Sequence, residues 1–311
     1  MQRANIFATP EDILREILGY LSPADQQTLR MTASFFRPII KQAPVDFLKH
    51  GVIYDQLEFV ELALELSDKC TKLICEHAAF YGNLRIIQWA RANGCPWGEK
   101  TCTLATRGGH LHVLQWARAD GCPWGYSTCA YAAEGGHLEV LKWIRDNGCA
   151  WTDLTCEYAA KGGYMQVLQW ARANGCPWNR WTCAMAARGG HLHILQWARA
   201  NGCAWDTLTC TYAAKGGYLE VLQWVRANGC PWDSLTCEYA ARYGHMQVLQ
   251  WARANGCEWD TYACLEAASN GHLHILQWAR ANGCPWSPSR CLEVSEEHPS
   301  VQEWIQSNID A

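Results

Sequence analysis

The sequence lacks any long apolar run and any excess of charge of one sign. No uninterrupted apolar stretch reaches the ~18 residues that a membrane-spanning helix requires, and the opening MQRANIFATPEDIL has neither the apolar segment nor the small-residue cleavage site of a secretion signal. The 26 basic and 30 acidic side chains leave a net charge of −4, which removes the general attraction to nucleic acid or anionic lipid. Alternation of period two is absent, so no strand is expected. Phosphate-cradling loops, nucleophile motifs and paired catalytic carboxylates are also missing, so neither an enzyme activity nor a cofactor is expected. These absences point to a soluble, cytoplasmic, monomeric chain that binds protein, with no nucleic acid and no membrane among its partners.

What the sequence does hold is repetition. Cysteine and tryptophan each occur 18 times, and both fall on a step of 27 residues. Cys95, Cys122, Cys149, Cys176, Cys203, Cys230, Cys257 and Cys284 follow that step, as do Trp97 to Trp286 and Trp89 to Trp278. About eight full units run from residue 74 to 289, and a strict fixed period of this kind marks a repeat architecture. Diverged units flank them: Leu57 to Leu62 precede the first, and residues 290–311 repeat the pattern to Trp304 with one residue deleted. Terminal repeats have to cover an apolar face that internal repeats pass to a neighbour, and polar Ser295, Glu296, Glu297 and His298 suit a cap.

Residues 154–178, LTCEYAAKGGYMQVLQWARANGCPW, read as two helices. Thr155 is positioned to cap a first helix with Cys156, Ala159 and Ala160 on one narrow face, and Gly162 and Gly163 to end it in a left-handed turn. A second helix is predicted from Met165 to Ala173, its apolar stripe made by Met165, Leu168 and either Val167 or Ala171 with Trp170, while Gln166, Gln169 and Arg172 face water. Asn174, Gly175 and Pro177 stop it. The expected fold is all-α, a helical repeat solenoid of about eight 27-residue helix-turn-helix units plus two caps.

The segment GHLEVLKWIRDNGCAW (136–151) resembles the ankyrin repeat, with its glycine turn, second helix and loop. The resemblance covers about residues 46–311 and implies an ankyrin-like solenoid with a concave binding side formed by the first helices. A 27-residue unit lacks about six residues of the usual 33, those of the hairpin between repeats. Strings of GCPW-type repeats are also similar to those in proteins of giant DNA viruses and some protists, and for a viral chain the compartment would be the host cytoplasm.

Residues 1–45 have a different character. Pro10 follows Thr9 as a helix start, and Ile13, Leu14, Ile17, Leu18 and Leu21 share one apolar face. With Pro23, Asp25, Leu29 and Phe36 this order resembles the F-box, with departures at Thr9, Gln26 and Thr32-Ala33. The resemblance implies a module that docks on the adaptor protein of a cullin-RING ubiquitin ligase through Pro10, Ile13, Leu14, Ile17, Leu18, Leu21, Leu29 and Phe36. The repeats at 46–311 would then hold the target. The bland alternative is an amphipathic helical cap on the first repeat, which would leave a scaffold independent of any ligase.

Two cysteines per unit invite zinc, but the C-x6-C spacing without a fixed histidine does not give four convergent ligands, so no metal site is expected. The cysteines are read as buried, reduced thiols that pack as small apolar groups, the tryptophans as core, and the arginine ladder from Arg91 to Arg280 as a solvated face. The paired histidines (110/112, 191/193, 272/274) are expected to cap helices. Positions that vary between nearly copied units are the candidates for target contact. They cluster at the start, exposed side and end of the first helix: Glu157, Lys161, Arg180, Trp181, Arg188, Lys215, Glu238 and Arg242, with Trp181 expected as an exposed aromatic hot spot.

Overall fold

The computed structural model describes residues 72–309, together with a few positions between 52 and 60. The adaptor-docking candidates Pro10, Ile13, Leu14, Ile17, Leu18, Leu21, Leu29 and Phe36 lie outside the described residues. The chain divides into two compact units, one up to Gly125 and one from Tyr126. Among the described residues the regular structure is α-helical throughout, in pairs, and each pair is one repeat.

In the first unit the pairs are Lys72–Tyr81 with Leu84–Ala92 and Glu99–Arg107 with Leu111–Ala119. In the second unit they are Thr128–Glu134 with Leu138–Asp146, Asp153–Gly162 with Met165–Ala173, and Arg180–Arg188 with Leu192–Ala200. Next come Thr207–Gly216 with Leu219–Ala227, Ser234–Arg242 with Met246–Ala254, and Thr261–Ser269 with Leu273–Ala281. The last pair, Pro288–Val294 with Pro299–Ser307, is the shortened terminal repeat.

The predicted second helix, Met165–Ala173, has the expected bounds. Its buried stripe is Val167, Leu168 and Ala171, with Met165 and Trp170 only partly covered, so the two expected alternatives are buried together and Met165 and Trp170 lie at the edge of the stripe. The turn between the helices is also as expected. Gly163 takes φ +82°, and the backbone N–H groups of Gly163 and Tyr164 donate to the carbonyls of Ala160 and Ala159. This paired arrangement closes the first helix where a residue with a Cβ would be strained.

The start of the first helix corrects the sequence reading. The cap position is Thr152, not Thr155, and in later repeats Asn179, Asp206, Asp233 and Asp260 fill it. Each of these four accepts a hydrogen bond from the backbone N–H two residues on, satisfying a donor that the helix leaves open. Thr155 lies in the first turn with its side chain buried.

Within each unit, first helices pack on first helices of neighbouring repeats through small side chains. Cys156, Ala159 and Ala160, and their counterparts Cys183, Ala186, Ala187, Cys210, Ala213 and Ala214, have no exposed surface. Side chains of this size allow a close approach, and Leu168, Leu195 and Leu222 close the layer from the second helices. The second helices of the second unit touch one another much less.

The tryptophans are not core. Trp151, Trp170, Trp178, Trp197, Trp205 and Trp224 are all partly exposed, and each loop indole meets the helical indole of the next repeat edge to face. The centroids are 5.7 Å apart for Trp151 and Trp170 and 5.9 Å for Trp205 and Trp224. The arginine ladder is not a free solvated face either. Arg172, Arg199 and Arg226 each donate from Nη1 to the carbonyl of the cysteine four residues on. Their guanidinium groups lie 4.1, 4.0 and 4.0 Å from the centroids of Trp178, Trp205 and Trp232. The sequence spacing separated arginine from the loop by four residues; only the turn after the helix brings the loop back under the guanidinium.

Candidate interaction surface

Among the described residues sixteen cysteines are buried with free thiols, as expected of reduced, packed cysteine, while Cys95 is disulfide-bonded and departs from that reading. The thiols also do more than fill space. Cys129 donates from Sγ to the Sγ of Cys149 at 3.0 Å, and Cys203, Cys230 and Cys257 donate to the carbonyls of the cap residues Asn179, Asp206 and Asp233 at 3.3 Å. Hydrogen bonding to Cys176 and burial push the Cys156 thiol up, while the same bond, received by Cys176, holds that thiol down. No group of three or more metal-ligating side chains converges among the described residues.

The histidines also differ from expectation. His191 stands at the cap position of its helix but makes no cap bond there. Its Nε2–H donates instead to the Lys161 carbonyl of the preceding repeat at 3.0 Å, and His245, His272 and His298 do the same to Lys215, Arg242 and Ser269. Thus each ring caps the end of the previous repeat's first helix. The ring of His191 lies against Gly163, where an added Cβ would sit 2.6 Å from Cε1. Tyr164 and Tyr218 hold the same position and cover Gly136 and Gly190.

That leaves the outward side of the first helices in the second unit, where the candidate contact residues fall. Lys161, Arg188, Lys215 and Arg242 occupy one position in four successive repeats. Lys161 pairs with Glu134 at 3.4 Å, Arg242 with Glu266 at 3.4 Å, and Arg180, the first residue of the helix that ends at Arg188, with Asp206 at 3.3 Å. Arg188 and Lys215 form no ion pair among the described residues. Both face the ring of Tyr212, each 5.7 Å from its centroid. Lys215 also faces Tyr239 at 5.6 Å and Tyr243 at 5.0 Å. Trp181 is half-buried, not fully exposed as expected, because its ring packs edge to face on Tyr212 at 6.0 Å.

Two of the eight candidates stand apart from this cluster. Glu157 is only 9% exposed, and burial raises its carboxyl pKa, so it presents little surface. Glu238 is half-buried, and burial followed by the nearby carboxylates of Glu266 and Asp260 raises its pKa. The sequence reading missed the tyrosines. Tyr158, Tyr212 and Tyr239 recur two residues after the first-helix cysteine, and that repetition was the available signal. They form a half-exposed aromatic row.

Together the fold and this face define a helical-repeat scaffold with one variable side. No protein-family model matches the chain, and no curated protein matches it. Among solved structures it is similar to the human ASB11 ankyrin repeat domain, at 16% identity and a TM-score of 0.44, over 58% of this chain and 96% of that one. No helix among the described residues is long and apolar enough to cross a membrane.

Proposed function

We propose that this chain is a non-catalytic, ankyrin-type binding scaffold that holds a target protein on the first-helix face of residues 126–311. Residues 1–45, the F-box-like module, dock on the adaptor of a cullin-RING ubiquitin ligase, so that residues 46–311 act as the target-recognising part. The observation carrying the binding role is the contrast between the two sides of the repeat. The arginine, tryptophan and cysteine contacts on the second-helix side recur from unit to unit, whereas one outward position changes from Glu134 through Lys161, Arg188, Lys215 and Arg242 to Ser269, and Trp181 stands where the neighbouring repeats have Leu154 and Leu208. A scaffold that repeats its packing and varies one face suits recognition of an extended partner.

The docking role rests on the order of Pro10, Ile13, Leu14, Ile17, Leu18 and Leu21. Co-purification with the cullin adaptor protein tests it, comparing the wild-type chain with Ile17→Asp. Retention by wild type and loss in a variant of unchanged thermal stability is the expected result. Absence of binding by both leaves a ligase-independent scaffold.

A further inference from the structure

We propose that Cys129 and Cys149 are a peroxide-sensitive pair: hydrogen peroxide joins them in a disulfide that staples the first helix of their repeat to the loop closing its second helix. Both lie in the first repeat of the second unit, and the pairing does not depend on the target-binding role proposed above. The sulfurs already touch. Cys129 donates to Cys149 at 3.0 Å, so an S–S bond of about 2.05 Å requires a shift of only about 1 Å. The helix that carries Cys129, Thr128–Glu134, is loosely tied. It has seven residues, against nine or ten in the first helices of the five repeats that follow. Ser127 at its cap position makes no cap bond, whereas Asn179, Asp206, Asp233 and Asp260 do. Cys149 is followed by Ala150, where Cys122 and Cys176 are followed by Pro123 and Pro177, and a residue without a proline behind it keeps a wider choice of backbone angles.

Both sulfurs are buried, but Cys149 sits between exposed Gly148 and Ala150, so a small opening of the loop admits a molecule the size of peroxide. Cys95, at the same loop position two repeats earlier, is disulfide-bonded to a cysteine other than Cys75, so a loop of this kind accommodates an S–S bond. Hydrogen bonding to Cys149 and burial keep the proton on Cys129, which makes Cys149 the sulfur that reacts as thiolate. It attacks one peroxide oxygen, the O–O bond breaks, and Cys149 becomes a sulfenic acid while the departing hydroxide takes up the Cys149 proton. The Cys129 sulfur then attacks the Cys149 sulfur, the S–O bond breaks, and the second hydroxide leaves as water with the Cys129 proton. Two thiols and one peroxide give one disulfide and two waters, the two electrons passing from the sulfurs to the peroxide. The new bond closes a loop within one repeat and so restricts its unfolded state, and in a stacked array a locked repeat also holds its neighbour.

The test treats the full-length chain with a hydrogen peroxide series and reads it by non-reducing peptide mapping and by tryptic cleavage in urea. The expected result is a Cys129–Cys149 cross-link that forms at a lower peroxide dose than any other new disulfide and is reversed by dithiothreitol. Cleavage after Lys142, which lies between the two cysteines, should slow at least tenfold on oxidation, within the effect of closing a loop of this length. It should not slow in Cys149→Ala. Dimedone should label Cys149 as the sulfenic acid in Cys129→Ala, and should leave Cys129 unlabelled in Cys149→Ala. Absence of the cross-link while other cysteines oxidise, an unchanged cleavage rate in the cross-linked chain, or dimedone on Cys129 instead of Cys149 overturns the proposal. Should an alanine variant melt earlier than the wild type, the wild-type cross-link and its cleavage rate decide the matter.

Discussion

His191 donates from Nε2 to the carbonyl oxygen of Lys161, thirty residues earlier and 3.0 Å away. This bond ties the start of one second helix to the end of the previous repeat's first helix, and it is made by a ring that titrates near neutrality. Burial lowers the pKa of His191, and of His272 in the same role, below the ordinary 6.5. The folded form therefore prefers the neutral ring. Its contribution is complete above pH 6.5 and is lost as pH falls below that value toward the folded pKa, because the unfolded chain then binds the extra proton. The melting temperature should drop between pH 7.5 and pH 5.5. The drop should shrink in a His191→Tyr, His272→Tyr double variant, since tyrosine already fills this position at Tyr164 and Tyr218. An unchanged profile would show that the ladder does not set the pH response.

The clamp around Trp232 makes a second prediction. Arg226 both donates to the Cys230 carbonyl and covers the indole at 4.0 Å. Replacing it with Gln removes a charge-assisted bond and a cation–π contact, and should cost about 1–3 kcal/mol in urea unfolding. Arg226→Lys should recover only part of that loss, because an ammonium lacks the flat face that lies over the ring.

Thr236 is fully buried and its hydroxyl has no hydrogen-bond partner. Thr182, at the equivalent position two repeats earlier, is in the same condition. Valine has nearly the same shape without the unsatisfied oxygen, so Thr236→Val should raise stability by about 1 kcal/mol. A loss of stability in the same urea titration would mean that the hydroxyl has a partner in solution.

The free thiols are sealed by packing. In native buffer the sixteen buried free cysteines should react with an aromatic disulfide reagent over hours, and in guanidinium within seconds. Rapid reaction of a subset under native conditions would locate repeats that open independently, as stacked arrays with nearest-neighbour contacts allow.

The sequence by itself determined the period, the pairing of helices and the glycine turn, because these depend on local chemistry. A left-handed residue at Gly163 and the apolar spacing over Met165–Ala173 are visible within one unit. It also indicated which positions vary. The roles of Arg226, His191 and Cys176 were decided only by tertiary structure. Their partners are the carbonyl of a returning loop, the carbonyl of another repeat and the thiol of Cys156, and backbone carbonyls leave no mark in a sequence. The same holds for Trp181. Nothing near it in the chain reveals that Tyr212 covers one edge, or that Arg188 and Lys215 stand beside that ring without an anion. Local propensity fixes each repeat, whereas burial and charge balance are properties of the stack.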